Sequence, residues 1–148
     1  MDRKQFIFSY SGGVAAAWLL TSLQACSKAY YAATTSKGKQ VNVALSEFAT
    51  QDKNRNTVYR SFVLVKAEQL SYPIVVYRKS ESDFVALYTE CTHRGCELNP
   101  APNGLQCPCH GSEFSKEGKV LNPPAEKDLL SFPVHLEKDF LSIQISPA

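Results

Sequence analysis

From residue 41 onward, the hydrophobic and polar positions follow the pattern of short β-strands. β-Branched and aromatic residues dominate residues 58–66 and 72–79, and residues 84–88 continue that composition. Residues of these types are enriched in strands. No long helical period interrupts them. The pattern predicts an all-β fold, and the length of residues 41–148 suits one domain.

The end of the chain predicts a β-hairpin. Residues 131–136 and 140–145 flank the polar stretch Glu137-Lys138-Asp139, which suits a turn. Successive side chains of a strand point to opposite faces. In the second strand, one face therefore has Phe140, Ser142 and Gln144, and the other has Leu141, Ile143 and Ile145. Together the strands favour an antiparallel β-sandwich or barrel.

Residues 1–25 have the pattern of a targeting signal. Arg3 and Lys4 form a short basic start, and the apolar run at residues 14–23 is about half as long as a membrane span needs. The sequence Leu-Gln-Ala-Cys at residues 23–26 resembles a bacterial lipoprotein box, in which the cysteine is acylated after cleavage. The resemblance implies a signal segment over residues 1–25 and lipidation of Cys26. A free thiol at Cys26 is the alternative.

Residues 26–40 are small and polar except for Tyr30 and Tyr31, and they show no helical or strand period. This composition predicts a flexible, lipid-anchored tether. The expected location is the periplasmic side of a bacterial inner membrane. The formal net charge of +2, without a basic run, argues against a nucleic-acid partner.

Two short runs, residues 91–96 and 107–112, contain four of the five cysteines and two of the three histidines. Cys91 and His93 form a C-x-H pair, and Cys107 and His110 form a C-x-x-H pair. Thiolates and imidazoles are ligands for transition metals. The two runs therefore predict a metal centre.

Several metal centres use these ligands. A tetrahedral zinc site remains an alternative, although structural zinc sites usually begin with C-x-x-C pairs and leave no matched spare cysteines. Covalently attached haem is excluded because it needs C-x-x-C-H. A mononuclear iron site with two histidines and a carboxylate lacks ligands, since only His135 remains outside the two runs.

The full pattern resembles the Rieske iron-sulfur proteins. The resemblance implies a 2Fe-2S cluster in which Cys91 and Cys107 ligate one iron, and His93 and His110 ligate the other. Replacing two thiolates with neutral imidazoles makes reduction easier. Rieske centres accordingly have potentials of about −150 to +300 mV, against about −400 mV for plant-type centres.

The resemblance also implies roles for residues beside the ligands. Cys96 and Cys109 would form a disulfide, which persists in an oxidising compartment. Ser112 matches a serine whose hydroxyl donates a hydrogen bond to a bridging sulfide and raises the potential. The expected fold is a Rieske domain over residues 41–148, with a cluster-binding subdomain at about 89–125. Within it, residues 122–125 resemble the loop of prolines that covers the cluster.

Two residues differ from the pattern of respiratory Rieske proteins. Phe114 stands where many high-potential members have a tyrosine whose hydroxyl bonds a ligand sulfur, so we expect an intermediate potential. Arg94 stands where quinol-oxidising members usually have leucine. A charge at that position favours a polar or acidic docking partner, and a solvated loop arginine is the alternative.

The resemblance implies a one-electron carrier. The leading expectation is a membrane-tethered subunit of a quinol-oxidising cytochrome bc-type complex, with cytochrome b or c and quinol as redox partners. The alternative is an electron-transfer subunit of an exported molybdenum oxidoreductase, or a stand-alone periplasmic ferredoxin. By itself the chain is expected to be an electron carrier without a catalytic residue, and in a complex it would be the redox subunit of an oxidoreductase.

Overall fold

The computed structural model describes residues 29–145. The segment expected to be a signal, residues 1–25, and the candidate lipidation site Cys26 lie outside the described residues. The described part contains fourteen strands and one short 3-10 helix, η1. The strands are β1 (Thr34–Lys37), β2 (Gln40–Ala44), β3 (Ala49–Gln51), β4 (Thr57–Tyr59), β5 (Phe62–Val65), β6 (Ile74–Arg78), β7 (Phe84–Tyr88), β8 (Asn99–Ala101), β9 (Gly104–Gln106), β10 (Glu113–Ser115), β11 (Val120–Asn122), β12 (Ser131–Phe132), β13 (Val134–Leu136) and β14 (Phe140–Gln144), and η1 covers Leu45–Phe48.

Two antiparallel four-stranded sheets form the base of the domain. Their strand orders are β1-β2-β14-β13 and β12-β7-β6-β5. One hydrophobic core contains buried residues of both sheets, including Val41 and Ile143 from the first and Val63 and Val76 from the second. The predicted all-β, antiparallel fold is confirmed.

The sheet β12-β7-β6-β5 is buried on both faces. Val76 belongs to the core shared with the other base sheet, whereas Val75 and Tyr77 belong to a second core that also contains Cys91 and Cys107. Neighbouring positions on β6 therefore face different cores. This burial on both sides explains why residues 74–77 are uniformly apolar instead of alternating with polar residues.

A smaller sheet of order β11-β10-β9-β8 forms a subdomain at the position where the resemblance predicts cluster binding. It is inserted between β7, which ends at Tyr88, and β12, which begins at Ser131. The Tyr77 hydroxyl joins it to the base by donating to the carbonyl oxygens of Ala101, at 2.9 Å, and Gly104, at 2.7 Å. Burial raises the pKa of the Tyr77 hydroxyl, which therefore keeps its proton as a donor.

Two predicted strands are each split in the structure. Residues 58–66 divide into β4, which pairs with β3, and β5, which pairs with β6. At the division, the Arg60 guanidinium donates to the carbonyl oxygens of Glu47 and Ala49. Residues 131–136 divide at Pro133, which has no N–H for a ladder, and the chain passes from the β7 sheet to the β14 sheet there.

The tether expected over residues 26–40 is not a free linker from residue 30 onward. Tyr31 forms a parallel bridge with Leu64, and β1 pairs with β2 around a tight turn in which Gly38 has φ of 60°. Most side chains of β1 are exposed, so residues 34–37 lack the alternating apolar pattern that predicts a strand. The ordered domain therefore begins before residue 41.

The hairpin predicted at the end of the chain is present. β13 and β14 pair across residues 137–139, and Leu141, Ile143 and Ile145, which were predicted to share one face, are all buried. Within residues 29–145 we find no helix with the length and apolar character that a membrane span requires.

Candidate metal centre

The first cysteine-histidine run, loop 1 (residues 91–96), forms a tight turn after β7. The Cys91 N–H donates to the Cys96 carbonyl at 2.8 Å, and the Gly95 N–H donates back to the Cys91 carbonyl at 2.8 Å. Gly95 has φ of 72°, a conformation that favours glycine. These bonds fold the run back on itself, with Cys91 at its base.

The second run, loop 2 (residues 107–112), repeats this geometry between β9 and β10. The Cys107 N–H donates to the Ser112 carbonyl at 2.8 Å, and the Gly111 N–H donates to the Cys107 carbonyl at 3.0 Å. Gly111 has φ of 80°. A glycine follows each candidate ligand cysteine by four residues, a repeat that is visible in the sequence but that the cysteine-histidine spacing alone does not single out.

A disulfide joins the two loops. Cys96 in loop 1 and Cys109 in loop 2 are bonded, with their Cα atoms 6.6 Å apart. The disulfide predicted from the resemblance is confirmed. It links loop 1, which follows β7, to loop 2, which lies between β9 and β10.

The candidate ligands differ in depth. Cys91 and Cys107 carry free thiols and are each 2% exposed. His93 is half-buried and His110 is exposed. The two imidazole rings are neighbours, with centroids 5.1 Å apart. The loops thus set two sulfurs inside the protein and two imidazoles toward its surface.

Backbone N–H groups surround both free sulfurs. Burial raises the pKa of the Cys91 thiol, and opposing hydrogen bonds from the His93 and Arg94 N–H groups do not reverse that effect. Burial also acts on Cys107, but hydrogen bonds from His110, Cys91 and Cys109 leave its pKa lowered. In each loop the N–H donors lie two and three residues after the cysteine. The N–H donors thus outweigh burial at Cys107, where the thiolate is favoured, but not at Cys91, where the pKa stays raised.

Ser112 connects loop 2 to the segment at residues 122–125, the proline loop. Its side chain is fully buried, and its Oγ accepts a hydrogen bond from the Ala125 N–H at 3.0 Å. On the other side, the Thr92 hydroxyl of loop 1 donates to the Lys127 carbonyl at 2.6 Å. The chain around the proline loop is thus bonded to both cysteine-histidine loops.

The arrangement of donors fits two irons better than one ion. In a tetrahedral zinc site with bonds of about 2.0–2.3 Å, all four ligand atoms lie within roughly 4 Å of one another. Among the described residues, the compact group of three possible ligands is Cys96, Cys107 and Cys109, and two of these form the disulfide. The buried thiols and surface imidazoles form separate pairs, as a 2Fe-2S cluster with two ligands on each iron requires.

Comparison with known families agrees with this chemistry. The family model of the Rieske 2Fe-2S domain matches residues 38–133. The chain belongs to the Rieske family. Its cofactor is accordingly a Rieske 2Fe-2S cluster, a one-electron carrier, and the predicted family, fold and cofactor are confirmed.

Iron-sulfur subunits of cytochrome b6-f complexes are among the similar proteins. The chain is 36% identical over 99 residues to the cytochrome b6-f complex iron-sulfur subunit of Desmonostoc sp. (strain PCC 7906), covering 65% of this chain and 53% of that one. It is 26% identical over 156 residues to iron-sulfur subunit 2 of Trichormus variabilis (strain ATCC 29413 / PCC 7937), covering 97% and 84%. The chain thus spans about half the length of the first of these relatives.

A solved structure of the same family is also similar. The crystal structure of the plasma membrane Rieske protein from Synechocystis PCC 6803 superimposes with a TM-score of 0.51 at 28% sequence identity. The match covers 57% of this chain and 86% of the other. The similarity supports the assignment of an antiparallel Rieske fold.

Proposed function

We propose that this chain transfers single electrons through a cluster whose thiolate ligands are Cys91 and Cys107 and whose imidazole ligands are His93 and His110. The observation that carries the proposal is the repeated geometry of loop 1 and loop 2. Each loop supplies one buried sulfur and one imidazole nearer the surface. This division matches the ligand set of a Rieske centre.

The chain stabilises the reduced state through fixed backbone dipoles. The N–H groups of residues 93–94 and 109–110 donate to the ligand sulfurs. Hydrogen bonds to sulfur become stronger as negative charge is added, so these donors raise the reduction potential. Because the disulfide and the turn hydrogen bonds hold both loops, reduction requires little movement of the protein.

The imidazole pair is the proposed route for electrons. When bound, the cluster supplies one-electron redox chemistry next to His93 and His110. The exposed position of His110 lets a partner approach this edge without crossing protein. In a quinol-oxidising complex, a ring nitrogen at this edge would hydrogen-bond the quinol hydroxyl while the electron leaves the quinol.

We further propose that the chain works as a subunit of a cytochrome bc-type complex at the periplasmic side of a bacterial membrane. The names of the cytochrome b6-f relatives support a cytochrome partner. An export signal over residues 1–25 and an acyl anchor at Cys26 would attach the domain to that membrane. Two or more acyl chains would hold it stably, because a single chain binds only marginally.

Cluster analysis tests the ligand assignment. Full-length protein purified with its cofactor should contain two irons and two labile sulfides per chain and give a Rieske-type EPR signal after reduction. His110→Ala should lose that signal. His135→Ala, which changes an exposed histidine on β13, should keep it. A colourless zinc-containing protein, or an unchanged signal in His110→Ala, would contradict the assignment.

Two further experiments test the partner and the anchor. Cytochrome b should co-purify with the chain in a mild detergent, whereas a molybdopterin subunit in its place would reject the cytochrome complex. Cells supplied with labelled palmitate should label the wild type but not Cys26→Ala. An unlabelled wild type would remove the lipid anchor and leave the cluster assignment intact.

A further inference from the structure

Three sulfur atoms form a compact group beside the proposed cluster site. The Sγ atoms of Cys96, Cys107 and Cys109 all lie within 4.8 Å of one another. Cys96 and Cys109 form the disulfide, whereas Cys107 has a free thiol. A thiolate next to a disulfide exchanges with it through direct attack on sulfur. Without a metal on Cys107, the geometry therefore presents a nucleophile to the disulfide.

We propose that the cluster-free chain undergoes an internal thiol–disulfide exchange in which Cys107 attacks the sulfur of Cys96. A bond forms between Cys107 Sγ and Cys96 Sγ, and the bond between Cys96 Sγ and Cys109 Sγ breaks. Cys109 leaves as a thiolate and takes up a proton equivalent to the one that Cys107 released. The exchange involves no net oxidation or reduction, so it needs no other reactant.

Chain geometry selects Cys96 as the sulfur attacked. Attack on Cys109 would link two cysteines separated only by Pro108, whose ring fixes the backbone between them. A bond from Cys107 to Cys96 closes a loop only two residues shorter than the present separation of 13. The product Cys96–Cys107 therefore demands less distortion than Cys107–Cys109.

The other free thiol provides a contrast. Cys91 is as deeply buried as Cys107, at 2% exposure, and occupies the equivalent position in loop 1. It is nevertheless absent from the compact sulfur group within the described residues. Exchange should therefore depend on Cys107 and proceed without Cys91.

The exchange has a consequence that rests on the proposed cluster ligands. A chain with a Cys96–Cys107 bond has lost one of its two ligand thiols, so it offers an incomplete ligand set. Iron bound to Cys107 prevents the attack, because that sulfur is then occupied. The structure thus favours insertion of the cluster before the disulfide forms.

Peptide mapping tests the exchange directly. Iron and sulfide are removed from the full-length chain while its disulfide stays intact. The chain is then incubated without oxygen at mildly alkaline pH. Samples are quenched with acid, and their free thiols are alkylated. Digestion with trypsin and a glutamate-specific protease cuts after Arg94 and Glu97, which separates Cys91, Cys96 and the peptide containing residues 107–109. Fragmentation on the N-terminal side of Pro108 then distinguishes Cys107 from Cys109 by mass.

The expected result is a Cys96–Cys107 cross-link with alkylated Cys109, which accumulates over hours as the Cys96–Cys109 cross-link falls by the same amount. Cys91→Ser should still form the Cys96–Cys107 cross-link, and Cys107→Ser should keep the original pair. Circular dichroism establishes that each variant is folded. The cluster-loaded wild type supplies a second comparison and should show no exchange.

Two results would overturn the inference. One is a cluster-free wild type that stays folded and keeps its Cys96–Cys109 bond over a day of incubation. The other is a folded Cys107→Ser variant that loses its Cys96–Cys109 bond as fast as the wild type does. Cluster uptake is measured separately, by adding iron and sulfide to fresh cluster-free chain. A chain that takes up a Rieske cluster but does not exchange its disulfide would refute this inference alone, and a chain that exchanges but binds no cluster would refute the proposed function alone.

Discussion

The Ser112 side-chain oxygen accepts a hydrogen bond from the backbone N–H of Ala125 at 3.0 Å, which joins loop 2 to the proline loop. Both residues are buried. A hydroxyl that accepts in this way still has one proton to donate. In the described part of the chain, no protein atom accepts that proton. The Ser112 hydroxyl is therefore oriented by Ala125 and free to donate to cluster sulfur.

Ser112→Ala should lower the reduction potential of the loaded protein. Loss of a hydrogen bond to a charged acceptor costs about 1.5–3 kcal/mol. Only the part of this free energy that differs between the oxidised and the reduced cluster changes the reduction potential. A difference of about 1.4 kcal/mol corresponds to about 60 mV for a one-electron couple. Redox titration followed by EPR measures this shift.

Ser115→Ala is the matched control for Ser112→Ala. Ser115 lies in the same subdomain, and its Oγ accepts hydrogen bonds from the N–H groups of Glu117 and Lys119. Both variants should lose stability because each leaves backbone N–H groups without a partner. Only Ser112→Ala should lower the potential. Equal potentials in the two variants would remove Ser112 from the tuning of the cluster.

Phe114→Tyr should raise the potential. Phe114 is 1% exposed and belongs to the core that contains Cys91 and Cys107. A hydroxyl on this ring that reaches a ligand sulfur would add a donor and favour the reduced state, by an amount on the order of 60 mV. Phe132→Tyr, in the opposite core, controls for the burial of a new hydroxyl. No rise in the Phe114→Tyr titration would end the proposed link between this residue and an intermediate potential.

Gly104→Ala should destabilise the subdomain. A Cβ atom at Gly104 would collide with the Phe114 carbonyl oxygen of the neighbouring strand. The backbone cannot rotate away as a flexible side chain would, so we expect a loss of about 3 kcal/mol in the free energy of unfolding. Urea unfolding measures this loss.

Gly38→Ala is the control for Gly104→Ala, because it introduces backbone strain without a steric collision. Gly38 has φ of 60°, but a Cβ atom there would meet no atom within 4 Å. The expected loss is about 1 kcal/mol, from the left-handed conformation alone. A loss in Gly104→Ala no greater than in Gly38→Ala would show that the strands can separate at little cost.

The parts of the fold that the sequence predicted correctly are those where side-chain chemistry itself is diagnostic. The metal centre and the Cys96–Cys109 disulfide are identifiable because few roles need thiols and imidazoles in two such runs, whereas the ligand roles of Cys91, His93, Cys107 and His110 stay a prediction. The strand at residues 72–79 is identifiable because both of its faces are buried, which makes every position of β6 from Ile74 to Tyr77 apolar.

The parts that the sequence missed depend on tertiary contacts. β1 presents mostly exposed polar side chains, and only its pairing with β2 makes it a strand. The division at Arg60 depends on the Glu47 and Ala49 carbonyl groups, which a local pattern does not contain. β8 to β11 have three residues each, which is too short for an alternating pattern.

Asp128→Asn should reduce stability in a pH-dependent manner. The Asp128 carboxylate accepts hydrogen bonds from Lys119 Nζ at 2.7 Å and from the Val120 N–H at 3.0 Å, and these bonds lower its pKa, with Lys119 contributing most. A lowered folded-state pKa contributes stability above the unfolded-state pKa and loses it as the pH falls through the folded value. The variant should therefore unfold a few degrees below the wild type at neutral pH, and the difference should disappear as the pH falls below about 4. Asp139→Asn, in the exposed turn before β14, should match the wild type at both pH values. A difference for Asp128→Asn that persists in acid would assign its effect to packing instead of charge.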